Sequence, residues 1–108
     1  MGSGRRKVIW SVQAASALNE AVGYVSADSP SAGIQLLEAA LEAGSRLAEL
    51  SERGRVVPEV GSPTVRELFV FKYRLMYEIA NQEVHVIAFV HGARDFVQWQ
   101  AGKVEDPD

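Results

Sequence analysis

The chain has no cysteine, only two histidines and only four prolines among its 108 residues. Without cysteine there is no disulfide framework, no thiolate metal site and no thiol nucleophile. His85 and His91 fall on one expected strand with no carboxylates at a recognisable ligand spacing, so no metal site is expected. No apolar run approaches the roughly 20 residues that a bilayer span needs, and the N-terminus does not read as a signal peptide. There is no glycine-rich phosphate loop, no nucleophile elbow and no internal repeat. The expectation is a cytoplasmic protein with no cofactor. A chain of this length fits one domain, since domains cluster at about 100–150 residues.

Charge is present but unevenly spread. The formal net charge is −3, too low in magnitude and of the wrong sign to draw the chain onto free nucleic acid. Residues 1–13 carry +3, residues 14–52 carry −5, residues 53–94 carry +2 and residues 95–108 carry −3. An acidic middle followed by a basic stretch suggests two faces that meet different partners.

Residues 1–6 read as a flexible leader. Lys7-Val-Ile-Trp10 is a short β-favouring run and a first strand. Ser11 is placed to cap a helix whose stripe is Ala14, Ala17, Leu18, Ala21, Val22 and Val25. Ser29-Pro30 restarts a second helix, because proline at the first helical position loses no hydrogen bond. Ile34, Leu37, Leu41, Gly44, Leu47 and Ala48 are its expected buried face, and Gly54 its expected C-terminal cap. The short connection predicts an antiparallel helical hairpin.

Residues 55–64 hold Pro58, Gly61 and Pro63 and read as a loop. From Val65 the pattern is β. The run to Ala80 is too long for one strand of about 5–6 residues, so a break is placed at Phe71-Lys72. Tyr73, Leu75, Tyr77 and Ile79 then alternate with Arg74, Met76 and Glu78, as one buried face requires. In the last strand Val84, Val86, Ala88 and Val90 alternate with His85, Ile87, Phe89 and His91. The expected fold is α+β: an N-terminal strand, then a helical hairpin packed on a mostly antiparallel four-stranded sheet in the order β-α-α-β-β-β. A short C-terminal segment follows.

Several motifs, taken in order, resemble a known family. They are Trp10-Ser11 before the alanine-rich helix, Ser29-Pro30, Leu47-Ala-Glu-Leu50 and Glu52-Arg-Gly54. Pro58-Glu59-Val-Gly61, Arg66-Glu-Leu68, Tyr73-Arg-Leu-Met-Tyr77 and His91-Gly-Ala-Arg94-Asp95 complete the series. Together they resemble the RelE/ParE toxins of type II toxin–antitoxin (plasmid stabilisation) systems, and the ParE branch most. The resemblance spans residues 7–96 and leaves 97–108 as an acidic tail. It implies a toxin neutralised by a co-encoded, ParD-like antitoxin, in a complex that can be a heterotetramer. ParE-like members are associated with inhibition of DNA gyrase, whereas RelE-like relatives cleave messenger RNA on the ribosome. One fold hosts both, so fold alone does not choose.

An RNase needs a base for the 2′-hydroxyl, an acid for the leaving oxygen and cations around the phosphate. The residues available are His91 as acid or base, Glu59 as base, and Arg66, Arg74 and Arg94 as phosphate clamps. That set is incomplete, because Phe96 stands where a hydroxyl-bearing aromatic would serve. If the target is a protein, Arg66, Lys72, Arg74, His91 and Arg94 are the contact residues expected. Each also has an ordinary role open to it. Arg74 can be a solvated strand residue or the partner of Glu67 or Glu78, Lys72 a turn residue, and Arg94 the ion-pair partner of Asp95. His85 reads as structural, Trp10 as core, and Trp99 as an anchor for the chain end. The reading favoured here is a ParE-like toxin acting on a protein target. The alternatives are a ribosome-dependent endoribonuclease and an inactive binding module.

Overall fold

A computed structural model describes residues 5–92. Its elements are β1 (Lys7–Trp10), α1 (Val12–Asp28), α2 (Pro30–Arg46), β2 (Arg55–Val56), β3 (Val65–Val70), β4 (Tyr73–Ile79) and β5 (Glu83–His91). The sheet runs β1-β5-β4-β3-β2, with β1 parallel to β5 and every other pair antiparallel. The α+β order is the expected one, with five strands rather than four. The additional strand is β2, two residues that pair with Glu67 and Arg66 of β3. So short a strand between Gly54 and Pro58 has no periodicity of its own to read.

The helices begin where their caps dictate. Ser11 Oγ accepts from the Ala14 N–H at 3.0 Å, and Ser29 Oγ accepts from Ala32 at 3.3 Å. Ser29 also closes α1, its N–H donating to the Val25 carbonyl at 3.0 Å, so one residue joins the helices. In that tight hairpin α1 packs over β5 and α2 reaches β3.

The buried face of α2 differs from the expected one. Gly33, Leu36, Ala40 and Gly44 are buried, whereas Ile34 is 56% and Leu41 48% exposed. The cause is close approach. A Cβ at Gly33 would overlap Ser26 Oγ on α1, and one at Gly44 would lie 3.2 Å from the Trp10 ring. Small residues therefore make the closest contacts, and Ile34 and Leu41 are turned outward. The helix also stops early, at Arg46 with Leu47 as its cap. Gly54 is thus not a helix cap. It sits where a Cβ would come within 2.6 Å of both the Glu67 carbonyl oxygen and the Tyr77 hydroxyl.

The sheet is covered on both faces at its centre. Leu75, Tyr77, Val84, Val86 and Phe89 join α1 and α2 in one core, and Val57, Met76, Ala88 and Val90 form a second on the opposite face. Strict alternation along β5 fails because of a register shift. Met76 pairs with Ala88 while Tyr77 pairs with Val86, leaving Ile87 as the extra residue. Val84 and Val86 therefore face the helices, and Ala88 and Val90 the other side. The break at Phe71-Lys72 is where it was expected, between β3 and β4.

The two residues before β1 are bonded to the rest of the fold. Arg6 N–H donates to the Ala48 carbonyl at 2.7 Å, and its guanidinium reaches Ser51 Oγ and the carbonyls of Ala80 and Asn81. Arg5 pairs with Glu49. The leader Met1–Gly4, the 93–96 end of the expected domain and the tail 97–108 lie outside the described residues, as do Arg94, Asp95 and Trp99. Among the described residues no helix is long and apolar enough to cross a membrane.

The turn after α2 is held by Tyr77, whose buried hydroxyl donates to the Ser51 carbonyl at 2.7 Å and accepts from the Gly54 N–H at 2.9 Å. Burial pushes the phenol pKa above its ordinary value. Tyr77→Phe strands both backbone groups, and we expect a loss of about 1–3 kcal/mol. In urea unfolding the midpoint should fall with the slope unchanged.

Candidate functional site

The densest charged cluster lies on the sheet face away from the helices. Glu67 of β3 has no exposed side-chain surface, and Arg74 of β4 has 6%. Arg74 Nε donates to Glu67 Oε1 at 2.7 Å. Its terminal nitrogens grip Glu59 from the β2–β3 loop, Nη1 to Oε2 at 3.2 Å and Nη2 to Oε1 at 3.0 Å. Arg55 of β2 closes the other side, its Nε donating to Glu67 Oε2 at 2.6 Å. The backbone explains the meeting. Glu67 lies opposite Met76 and Arg74 opposite Phe69, so the two are diagonal cross-strand neighbours on one face.

The electrostatics follow from these contacts. The hydrogen bond from Arg74 holds the Glu59 carboxyl below its ordinary pKa. For Arg74, burial works against the charged form, and the bonds to Glu59 and Glu67 outweigh it, so its pKa stands above the ordinary value. Arg74 was open to a reading as a solvated residue; it is buried because both carboxylates meet it there.

The other expected site residues that are described, Arg66, Lys72 and His91, are dispersed. Arg66 is spent on main chain, donating to the carbonyls of Pro63 at 2.9 Å, Gly54 at 3.0 Å and Glu52 at 3.3 Å. His91 stands at the end of β5 with its ring edge-on to Tyr73, centroids 5.4 Å apart, and Tyr73 stacks on Phe89. Lys72 is exposed in the β3–β4 turn. Lys72 and His91 line an open groove of about 350 Å³ with Tyr24, Leu36, Phe71 and Tyr73. His85 pairs with Glu83 at 2.7 Å and is half exposed. Of the four described residues that an RNase reading names, only Glu59 and Arg74 meet. Their contact closes the guanidinium rather than opening it to a phosphate. Sequence reasoning missed Arg55 as a member of the cluster, because its partner becomes visible only once β2 is paired.

Comparison with known proteins gives this geometry its family. Residues 8–96 match the family described as ParE toxin of type II toxin-antitoxin system, parDE. The chain belongs to that family. A curated relative, Toxin RelE2 of Caulobacter vibrioides, is 33% identical over 89 residues, covering 82% of this chain and 97% of its own. A solved structure described as the chromosomal ParDE TA system from P. aeruginosa shares the fold. It has a TM-score of 0.66 at 18% identity and covers 82% of this chain and 98% of that one. The family match, ending at 96, takes in the whole charged cluster.

Two predictions follow from the cluster. Arg74→Ala leaves Glu67 buried and short of a partner, a change that typically costs about 3–5 kcal/mol. The double variant Arg74→Met/Glu67→Leu should be less destabilised than that single variant in the same unfolding experiment. The second concerns acid. Because the Glu59 pKa is lowered on folding, its contribution is complete above the ordinary value of 4.5 and is lost as pH falls below it. Glu59→Gln should flatten the fall of stability between about pH 5 and pH 3, measured by urea midpoints across that range.

Proposed function

We propose that the chain is a toxin that acts by binding a protein target, DNA gyrase, and that a cognate antitoxin neutralises it. The observation that carries the target class is the closed state of Arg74. A phosphate clamp needs an open guanidinium edge, whereas this side chain is 6% exposed and bound to two carboxylates. General acid–base work also needs its groups within hydrogen-bond reach of one substrate. His91 belongs to the hairpin end beside Tyr73, and Arg66 is tied to main-chain carbonyls. Both facts weigh for a binding toxin and against a ribosome-dependent endoribonuclease.

The antitoxin reading draws on family membership and on the outer side of α2. Ile34 and Leu41 are well exposed there, at the border of a half-buried Leu37 that packs against the core. Exposed apolar side chains of that kind suit an amphipathic partner helix. Such a complex becomes a heterotetramer if the antitoxin itself dimerises.

A supercoiling assay with purified gyrase, run beside a translating-ribosome cleavage assay, tests the reading. The chain should block supercoiling and leave messenger RNA intact, and Glu59→Gln/His91→Ala should keep its toxicity. Codon-specific cuts with gyrase unaffected would instead establish the endoribonuclease, and inactivity in both assays the binding module.

A further inference from the structure

The β3–β4 hairpin ends in an arrangement that stability does not account for. Phe71 has φ +54°, in the left-handed region that favours glycine, and it is the one non-glycine residue there among those described. An L-aromatic residue in that region is strained. Strain of this kind is ordinarily offset by packing, yet Phe71 is 65% exposed and its neighbour Phe69 57% exposed. Glycine at this position would remove the strain and the exposed ring together. The tip is nevertheless firmly held. The Gly92 N–H donates to the Lys72 carbonyl at 2.7 Å, and a Cβ at residue 92 would lie 3.0 Å from the Phe69 ring. The aromatic side chains are therefore presented by a braced turn, which lowers the ordering cost of binding.

Charge says what they are presented to. From Leu68 to Tyr77 the hairpin carries Lys72 and Arg74 and no carboxylate. Arg74 is taken up inside the ion-pair cluster, so Lys72 is the cation at the tip. An aromatic anchor beside a cation matches the composition of interface hot spots and an acidic counter-surface. We propose that this tip is the element the toxin inserts into its protein target: Phe71, flanked by Phe69 and Lys72, enters an apolar socket with an acidic rim. The proposal rests on the protein-target reading above and names the part of the chain that makes the contact.

The test uses the full chain and purified gyrase. Phe71→Gly should raise the concentration needed for half-inhibition of supercoiling by about tenfold or more. Lys72→Glu should raise it several-fold, with a larger effect at low salt. Both variants should melt no lower than the wild type by circular dichroism, which separates lost contact from lost fold. Phe71→Gly inhibiting at the wild-type concentration overturns the proposal while leaving the gyrase reading intact. A wild-type chain that does not touch gyrase overturns that reading, and growth arrest on induction then decides the tip. Arrest by Phe71→Gly equal to wild type rejects the tip, and arrest lost with messenger RNA uncut supports it. Loss of messenger RNA cleavage in Phe71→Gly would assign the tip to RNA and overturn the proposal.

Discussion

The carboxylate of Glu67 has no exposed surface, and the open side of the sheet is organised around it. A buried charge is expensive unless paired and hydrogen-bonded, so an element that brings a partner is held in place. Arg74 brings β4, Arg55 brings β2, and Glu59 brings the β2–β3 loop by closing the far side of Arg74. This is why two residues suffice for a strand. Arg55 is tied to the buried acid, and next to Val56 the side chain of Val57 enters the second core. The loop that composition alone marks as irregular is thereby fastened to the sheet.

A buried ion pair of this kind is weak evidence for stability and better evidence for register. Glu67 and Arg74 meet only while Glu67 faces Met76, because a one-residue slip would send one of them to the helix face. The bulge at Ile87 completes the arrangement from the other strand. It turns Ala88 and Val90 toward Met76 and Val57, giving the cluster an apolar floor. On the opposite side α2 comes close to α1 at Gly33 and to Trp10 of β1 at Gly44.

What could be read from the chain alone was what local chemistry decides. Ser11, Ser29 and Pro30 set helix ends through their own backbone groups, and the alternation through β4 needs no knowledge of a partner strand. The errors have the opposite character. The side of α2 that is buried depends on how near α1 and Trp10 come, which a stripe of leucines does not reveal. The bulge depends on the fit between β4 and β5. Arg74 could be listed with Glu67 as a possible partner, but only the register decides that they meet and are buried. The described residues among those named from the sequence therefore do not gather at one place. Glu59 and Arg74 converge, Arg66 braces a turn, and His91 belongs to the hairpin end.

That redistribution bears on how a fold shared by binding toxins and nucleases would be used here. A nuclease needs cations whose donors face a groove, whereas this chain commits its central arginine to holding two strands and a loop together. The residues left over for recognition lie at the periphery and differ in kind. The outer side of α2 exposes Ile34 and Leu41 beside Glu38 and Glu42, while the hairpin tip is aromatic and carries a lysine. An acidic, helical surface and a cationic, aromatic one suit different partners. On the reading proposed here the first holds the antitoxin and the second meets the target. Because they stand on separate elements, neutralisation does not require the antitoxin to cover the tip. The tip nevertheless stands beside the helical hairpin, Phe71 and Lys72 lining one groove with Tyr24 and Leu36, so on that reading an antitoxin seated on α2 lies close to the element that meets the target.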